Sequence, residues 1–197
     1  MKYTLYLLIA IFFTFLLQIS VDNFTEMFSL IPAKVFEGEV WRIVTSMFLH
    51  GDFLHLFYNS FALFMFGPVL EKTIGYRKYL FVYFISGILG GIAYILTSLV
   101  TNELFIPAVG ASGAIYGVIG TLAYLRPTTI VFVYFVPVPL LFLAIFWIAT
   151  ESLGTLLQLF GAKSAIASQA HLAGLLFGLW YGKFLKEKTR VRVRYYF

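Results

Sequence analysis

Long apolar runs without a charged side chain are what most restrict the folds open to this chain. Residues 3–20 and 79–100 each hold 18 or more consecutive residues with no Asp, Glu, Lys or Arg. Crossing the roughly 30 Å hydrocarbon core of a bilayer takes about 20 such residues in a helix. Composition agrees: of 197 residues, 61% are hydrophobic and 12% charged, and the mean hydropathy is +0.91. A soluble domain carries about a quarter charged residues. The fold class expected is therefore an all-α polytopic membrane protein. A cleaved leader at residues 3–20 is disfavoured, because Gln18-Ile19-Ser20 is a poor small-x-small site.

Taken in order, the apolar runs and their breakers give six transmembrane helices. The first covers residues 3–20. Residues 21–49 alternate charged and large apolar side chains and are expected to lie in the membrane interface. Asp52 is a good N-cap for the second helix, which runs to about Leu70. A charged turn over 71–78 leads to the third helix, about 79–100. The fourth covers about 110–125 and is closed by Arg126-Pro127. A fifth lies within 128–158, its core starting at Pro137-Val138-Pro139, and the sixth covers about 168–182. The tail from about Lys183 is basic, and residues 1–197 read as one compact unit without internal repeats.

Charge sets the orientation. With Lys2 cytoplasmic, six spans place Lys72, Arg77, Lys78, Arg126 and the six basic residues of the tail on the same side, eleven in all. Lys34, Arg42 and Lys163 are the three on the other. The positive-inside rule favours cytoplasmic N- and C-termini. The net charge of +5 is thereby read as a topology signal and headgroup contact, not as a nucleic-acid footprint. With no cysteine there is no thiolate nucleophile and no disulfide.

In this orientation helices two, four and six all start at the outer face, and His55, Ser112 and His171 lie near those starts. Polar groups at membrane depth are costly and point to function by default. Ser112 sits in Gly110-Ala111-Ser112-Gly113, and Tyr116, four residues on, shares its face. Gly113, Gly117 and Gly120 form a stripe on an adjoining face. On helix six His171, Gly174, Gly178 and Gly182 fall within about 80° of one another. Two glycine stripes invite close helix packing, which makes a Ser112–His171 hydrogen bond reasonable. On helix two, Asn59 shares the face of His55, while His50 falls at the helix boundary and reads as structural. Serine, histidine and asparagine are what acyl transfer uses as nucleophile, base and oxyanion donor. A zinc site is disfavoured, because His50 and His55 are five apart and no nearby acid completes a ligand set. Glu71, at a turn, and Glu151, late in the fifth helix, are not obvious triad acids. The machinery expected is a Ser–His dyad, its imidazole steadied by Tyr116.

From Trp41 to Gly178 the sequence resembles the rhomboid intramembrane serine proteases. The motifs are Trp41-Arg42, then His50, His55 and Asn59 at the family spacing, then Glu71 and Gly75. They continue with Gly110-x-Ser112-Gly113, Tyr116, and Ala170-His171-x-x-Gly174-x-x-x-Gly178. The resemblance implies a compact rhomboid-type bundle and a serine endopeptidase that cleaves in or near transmembrane segments. It makes Ser112 the nucleophile and His171 the general base and acid. His55, Asn59 and the Ser112 N–H would form the oxyanion hole, and Trp41-Arg42 would belong to a loop in the outer leaflet. Single-span membrane proteins are the implied substrates and the cell membrane the implied location; no cofactor or metal is required. The alternatives are a catalytically silent rhomboid-like scaffold that binds transmembrane partners, and a transporter. A transporter would more typically place its polar groups at the midplane, on broken and repeated helices.

Overall fold

A computed structural model describes residues 1–133, 135–164 and 166–194. The apolar runs form α1 (Lys2–Ser20), α5 (Phe53–Ile74), α6 (Tyr76–Thr101) and α8 (Leu140–Leu159), each long and apolar enough to cross a membrane. Between α1 and α5 the mixed segment folds as three short helices, α2 (Phe24–Phe28), α3 (Pro32–Phe36) and α4 (Arg42–Thr45), followed by a 3-10 turn at Ser46–Phe48. The remaining helices are α7 (Ser112–Leu125) and α9 (Ser168–Arg194). The protein is a helical polytopic membrane bundle.

At its centre is α7, packed against α5, α6, α8 and α9. Ten of its 14 residues are buried. At 1.5 Å per residue it is about 21 Å long, shorter than the hydrocarbon core. A helix this short, walled by longer ones, cannot have both ends at the membrane surface, so polar groups at one end lie recessed among the surrounding helices. The outer helices turn large apolar side chains away from the bundle, among them Phe12, Phe57, Phe64 and Phe146, as a surface facing lipid requires.

In lipid the hydrophobic effect does little to press helices together, so α7 and α9 rely on close backbone contact. A Cβ on Gly174 would land on the Gly113 carbonyl, and one on Gly178 on the Gly117 carbonyl. Gly182 faces the Thr121 carbonyl, and from the α7 side Gly120 faces the carbonyl of Leu175. Both stripes read from the sequence meet across this interface. Elsewhere a carboxylate fixes the frame. In the last turn of α5, Glu71 accepts hydrogen bonds from the backbone N–H groups of Tyr3 (3.2 Å) and Thr4 (3.0 Å) and from the Thr4 hydroxyl (2.8 Å). It thereby satisfies orphan donors at the positive end of the α1 dipole and ties α1 to α5.

Several boundaries differ from the sequence reading. The turn expected over 71–78 shrinks to Gly75 at φ +80°, because α5 continues through Pro68 to Ile74 and α6 starts at Tyr76. Proline removes one helical hydrogen bond, but packing on neighbouring helices outweighs that loss. The stretch before α8 is no helix: Ile130–Val133 pairs antiparallel with Val136–Pro139, placing the prolines in a hairpin and delaying α8 to Leu140. The sixth helix does not end near residue 182; α9 carries most of the basic tail to Arg194, and residues 195–197 lie outside the described residues.

The α7–α9 contact yields a test. Gly178→Val should force the two backbones apart and destabilise the protein by about 1–3 kcal/mol or more, read as a lower thermal midpoint in detergent. An unchanged midpoint would contradict the packing described.

Candidate active site

The chain before α7 is held so that Ser112 opens the helix. Ala108 and Leu30 exchange two backbone hydrogen bonds of 2.9 Å, and the Gly110 N–H donates to the Ser46 carbonyl, also at 2.9 Å. Gly110 has φ +131°, a backbone conformation that side chains disfavour. Ser112 is the first residue of α7, so the N–H groups of Ser112, Gly113 and Ala114 have no acceptor within the helix. Such N–H groups, with the helix dipole behind them, suit a developing negative charge.

Across the glycine contact His171 sits in the first turn of α9, with its Nε2 2.7 Å from the Ser112 Oγ. The imidazole is held on two other sides. Tyr116 stacks on it with ring centroids 4.5 Å apart and 7° between planes. Its Nδ1 lies 3.1 Å from Glu151 Oε1, and the same oxygen accepts the Tyr116 hydroxyl at 2.9 Å. Glu151 is buried. The sequence reading set Glu151 aside, and here the structure corrects it. Its place late in α8 brings it to the end of the bundle where α9 begins, and α8 turns the carboxylate inward. A signal was available, because Glu151 is the only charged residue in Leu140–Leu159, and a lone acid in an apolar span is a functional candidate by default.

His55 stands on the other side of Gly110, in the first turn of α5. Asp52 caps that helix by accepting the His55 N–H at 2.8 Å. The His55 Nδ1 accepts the Gly51 N–H at 3.3 Å, so the ring proton of neutral His55 resides on Nε2. That Nε2 would lie 2.8 Å from a Cβ placed on Gly110, so the missing side chain makes room for the imidazole. Asn59 is buried one turn further along, and its amide donates to the His55 carbonyl at 3.1 Å rather than to Ser112 or His171.

The other residues singled out by sequence lie further off. His50 is buried, its backbone clamped on both sides by the Gln18 amide (2.9 and 3.0 Å) and its ring edge-on to His55 at 5.1 Å. Burial, with His55 close by, pushes its imidazole down to about 4 and keeps it neutral. Arg42 is buried in the α2–α4 segment, bonded to Glu39 (2.6 Å) and to the carbonyls of Glu26 (2.6 Å) and Ser29 (2.8 Å). Trp41 beside it is half exposed. These two shape the segment whose Leu30 and Ser46 brace the approach to Ser112, and neither touches Ser112 or His171.

A small cavity of about 40 Å³ adjoins Ser112, lined mainly by small residues that include Ser46, Gly87, Gly90, Gly113 and Ala170.

The Rhomboid domain family model matches residues 37–188. The chain is 31% identical over 155 residues to the rhomboid protease GlpG of Haemophilus influenzae, covering 78% of this chain and 73% of that one. It is 43% identical over 91 residues to the protein YdcA of Bacillus subtilis (46% and 44% of the two chains). Against the rhomboid protease GluP of the same organism it is 36% identical over 125 residues (61% and 24%). The matched segment thus spans under half the length of YdcA and about a quarter of GluP. By the extent of the domain match and of the likeness to GlpG, this chain belongs to the rhomboid family.

Proposed function

We propose that this protein is an intramembrane serine endopeptidase that hydrolyses peptide bonds in or near the transmembrane segments of other membrane proteins. The observation that carries the reading is the 2.7 Å contact between Ser112 Oγ and His171 Nε2 at the start of the buried helix α7. Ser112 Oγ attacks the substrate carbonyl carbon while His171 Nε2 takes the hydroxyl proton. Collapse of the tetrahedral intermediate returns that proton to the leaving amine and leaves an acyl-Ser112 ester. Water, activated by the same imidazole, then releases the carboxylate product. The Ser112 N–H and the His55 Nε2–H are donors on the oxyanion side. Asn59 joins them if its amide leaves the His55 carbonyl when substrate binds.

The positive-inside charge balance supports cytoplasmic termini, and the cell membrane is the location proposed. Ser112, His171 and His55 then sit toward the outer leaflet, recessed by the shortness of α7. Single-span proteins are the substrates this site suits, cut near the outer end of the span.

Three outcomes test the reading. Ser112→Ala and His171→Ala should each abolish cleavage, with the double variant little worse than the worse single, since the pair acts as one unit. A fluorophosphonate probe should label Ser112 in the wild type; its failure there, with no cleavage of any membrane substrate, would favour the silent scaffold.

His55→Ala should lower the rate by about 10²–10³ with the fold retained, the loss expected for one oxyanion donor. Asn59→Ala at the wild-type rate would confine Asn59 to the helical bond it makes here.

The cut itself, mapped by mass spectrometry in a single-span substrate, should follow a small residue, because the cavity beside Ser112 is small. Weak helix formers should lie just beyond it, because a helical carbonyl must be freed before attack. Undiminished cleavage after those residues are replaced by leucine would refute this.

A further inference from the structure

A carboxylate inside an apolar span is expensive unless something binds it. Glu151 meets the Ser168 hydroxyl at the start of α9 and two donors that belong to the site. One is the Tyr116 hydroxyl from α7 and the other is His171 Nδ1 from α9, both on Oε1. The tautomer follows from this arrangement. Nδ1 faces a carboxylate oxygen and must donate, so Nε2 is left without a proton and accepts from Ser112. We propose, resting on the protease reading above, that Glu151 is a positioning residue that completes a Ser112–His171–Glu151 relay and acts on the reaction through His171. In the attack step the Ser112 proton passes to Nε2 and the Nδ1 proton stays where it is. The carboxylate remains ionised throughout and balances the imidazolium that forms.

Tyr116 has a defined part in this. Its ring fixes the plane of the imidazole from one face, and its hydroxyl fixes the oxygen that the imidazole addresses. Trp147, one turn before Glu151 on α8, packs on the Tyr116 ring at 5.2 Å between centroids, which holds the tyrosine from the α8 side. Three helices thus converge on one oxygen atom. Serine and histidine come from the α7–α9 contact, and α8 brings the charge.

The alternative is that Glu151 only fastens α8 to its neighbours. Glu151→Gln keeps the shape and removes the charge, while Glu151→Asp keeps the charge on a shorter arm. Both are compared with the full-length wild type in detergent. The final extent of fluorophosphonate labelling counts folded sites, and its rate reports how well Ser112 is activated. For a relay, Glu151→Gln should lower kcat per labelled site by about 10²–10⁴-fold with KM little changed. Glu151→Asp should recover part of that loss. In nitrogen-15-labelled wild type, the His171 Nδ1 proton should appear far downfield as a persistent signal, assigned by its absence in His171→Ala. Wild-type kcat and labelling rate in Glu151→Gln would overturn the proposal and leave the protease reading intact. So would a loss confined to the number of labelled sites. If Glu151→Gln does not fold, the wild-type spectrum decides, and a missing Nδ1 signal counts against the relay. A wild type that neither labels nor cleaves would overturn both readings together.

Discussion

The glycine contact between α7 and α9 is the constraint on which the rest depends. In hydrocarbon, helices gain little from burying apolar surface against one another, so they must approach until backbones touch. Gly174 and Gly178 seat directly against the carbonyls of Gly113 and Gly117. That approach leaves His171 within hydrogen-bond distance of a serine 59 positions earlier in the chain. A single methyl group at either α9 glycine would move the imidazole away from the hydroxyl, so the packing that holds the bundle together also sets the site geometry.

Around that contact the polar groups divide into two sets. One set braces backbone: Glu71 caps α1, Arg42 gathers the carbonyls of the α2–α4 segment, and Gln18 clamps His50. Each satisfies groups that would otherwise be orphaned at membrane depth. The other set converges near the start of α7, with Ser112, His171, Tyr116 and Glu151 joined by direct contacts and His55 across Gly110. The first set supplies the rigidity that the second needs, since Ser112 follows directly on a segment pinned to Leu30 and Ser46.

The short length of α7 is the second organising fact. Fourteen residues reach about two thirds of the way across the hydrocarbon core. A polar group at the end of such a helix is recessed within a ring of longer helices. Polar groups gather there without the outer surface of the bundle becoming polar, which fits the lipid-facing phenylalanines on α1, α5 and α8.

Much of this was legible in the chain itself. Uncharged runs announced a polytopic helical protein, because bilayer thickness fixes how long such runs must be. The glycine spacing announced which faces of α7 and α9 would meet, because helical periodicity is local. Ser112, His171 and His55 stood out because polar groups in apolar helices are few. What tertiary structure alone decided was which partner each polar group would find. Periodicity says which way Glu151 points around α8, but the position of α8 against α7 and α9 determines that His171 and Tyr116 lie there. The same holds for Pro68 and for the hairpin at 130–139. Proline and short apolar runs carry ambiguous local preferences, and the choice between turn, strand and helix was made by packing against residues far away in the sequence.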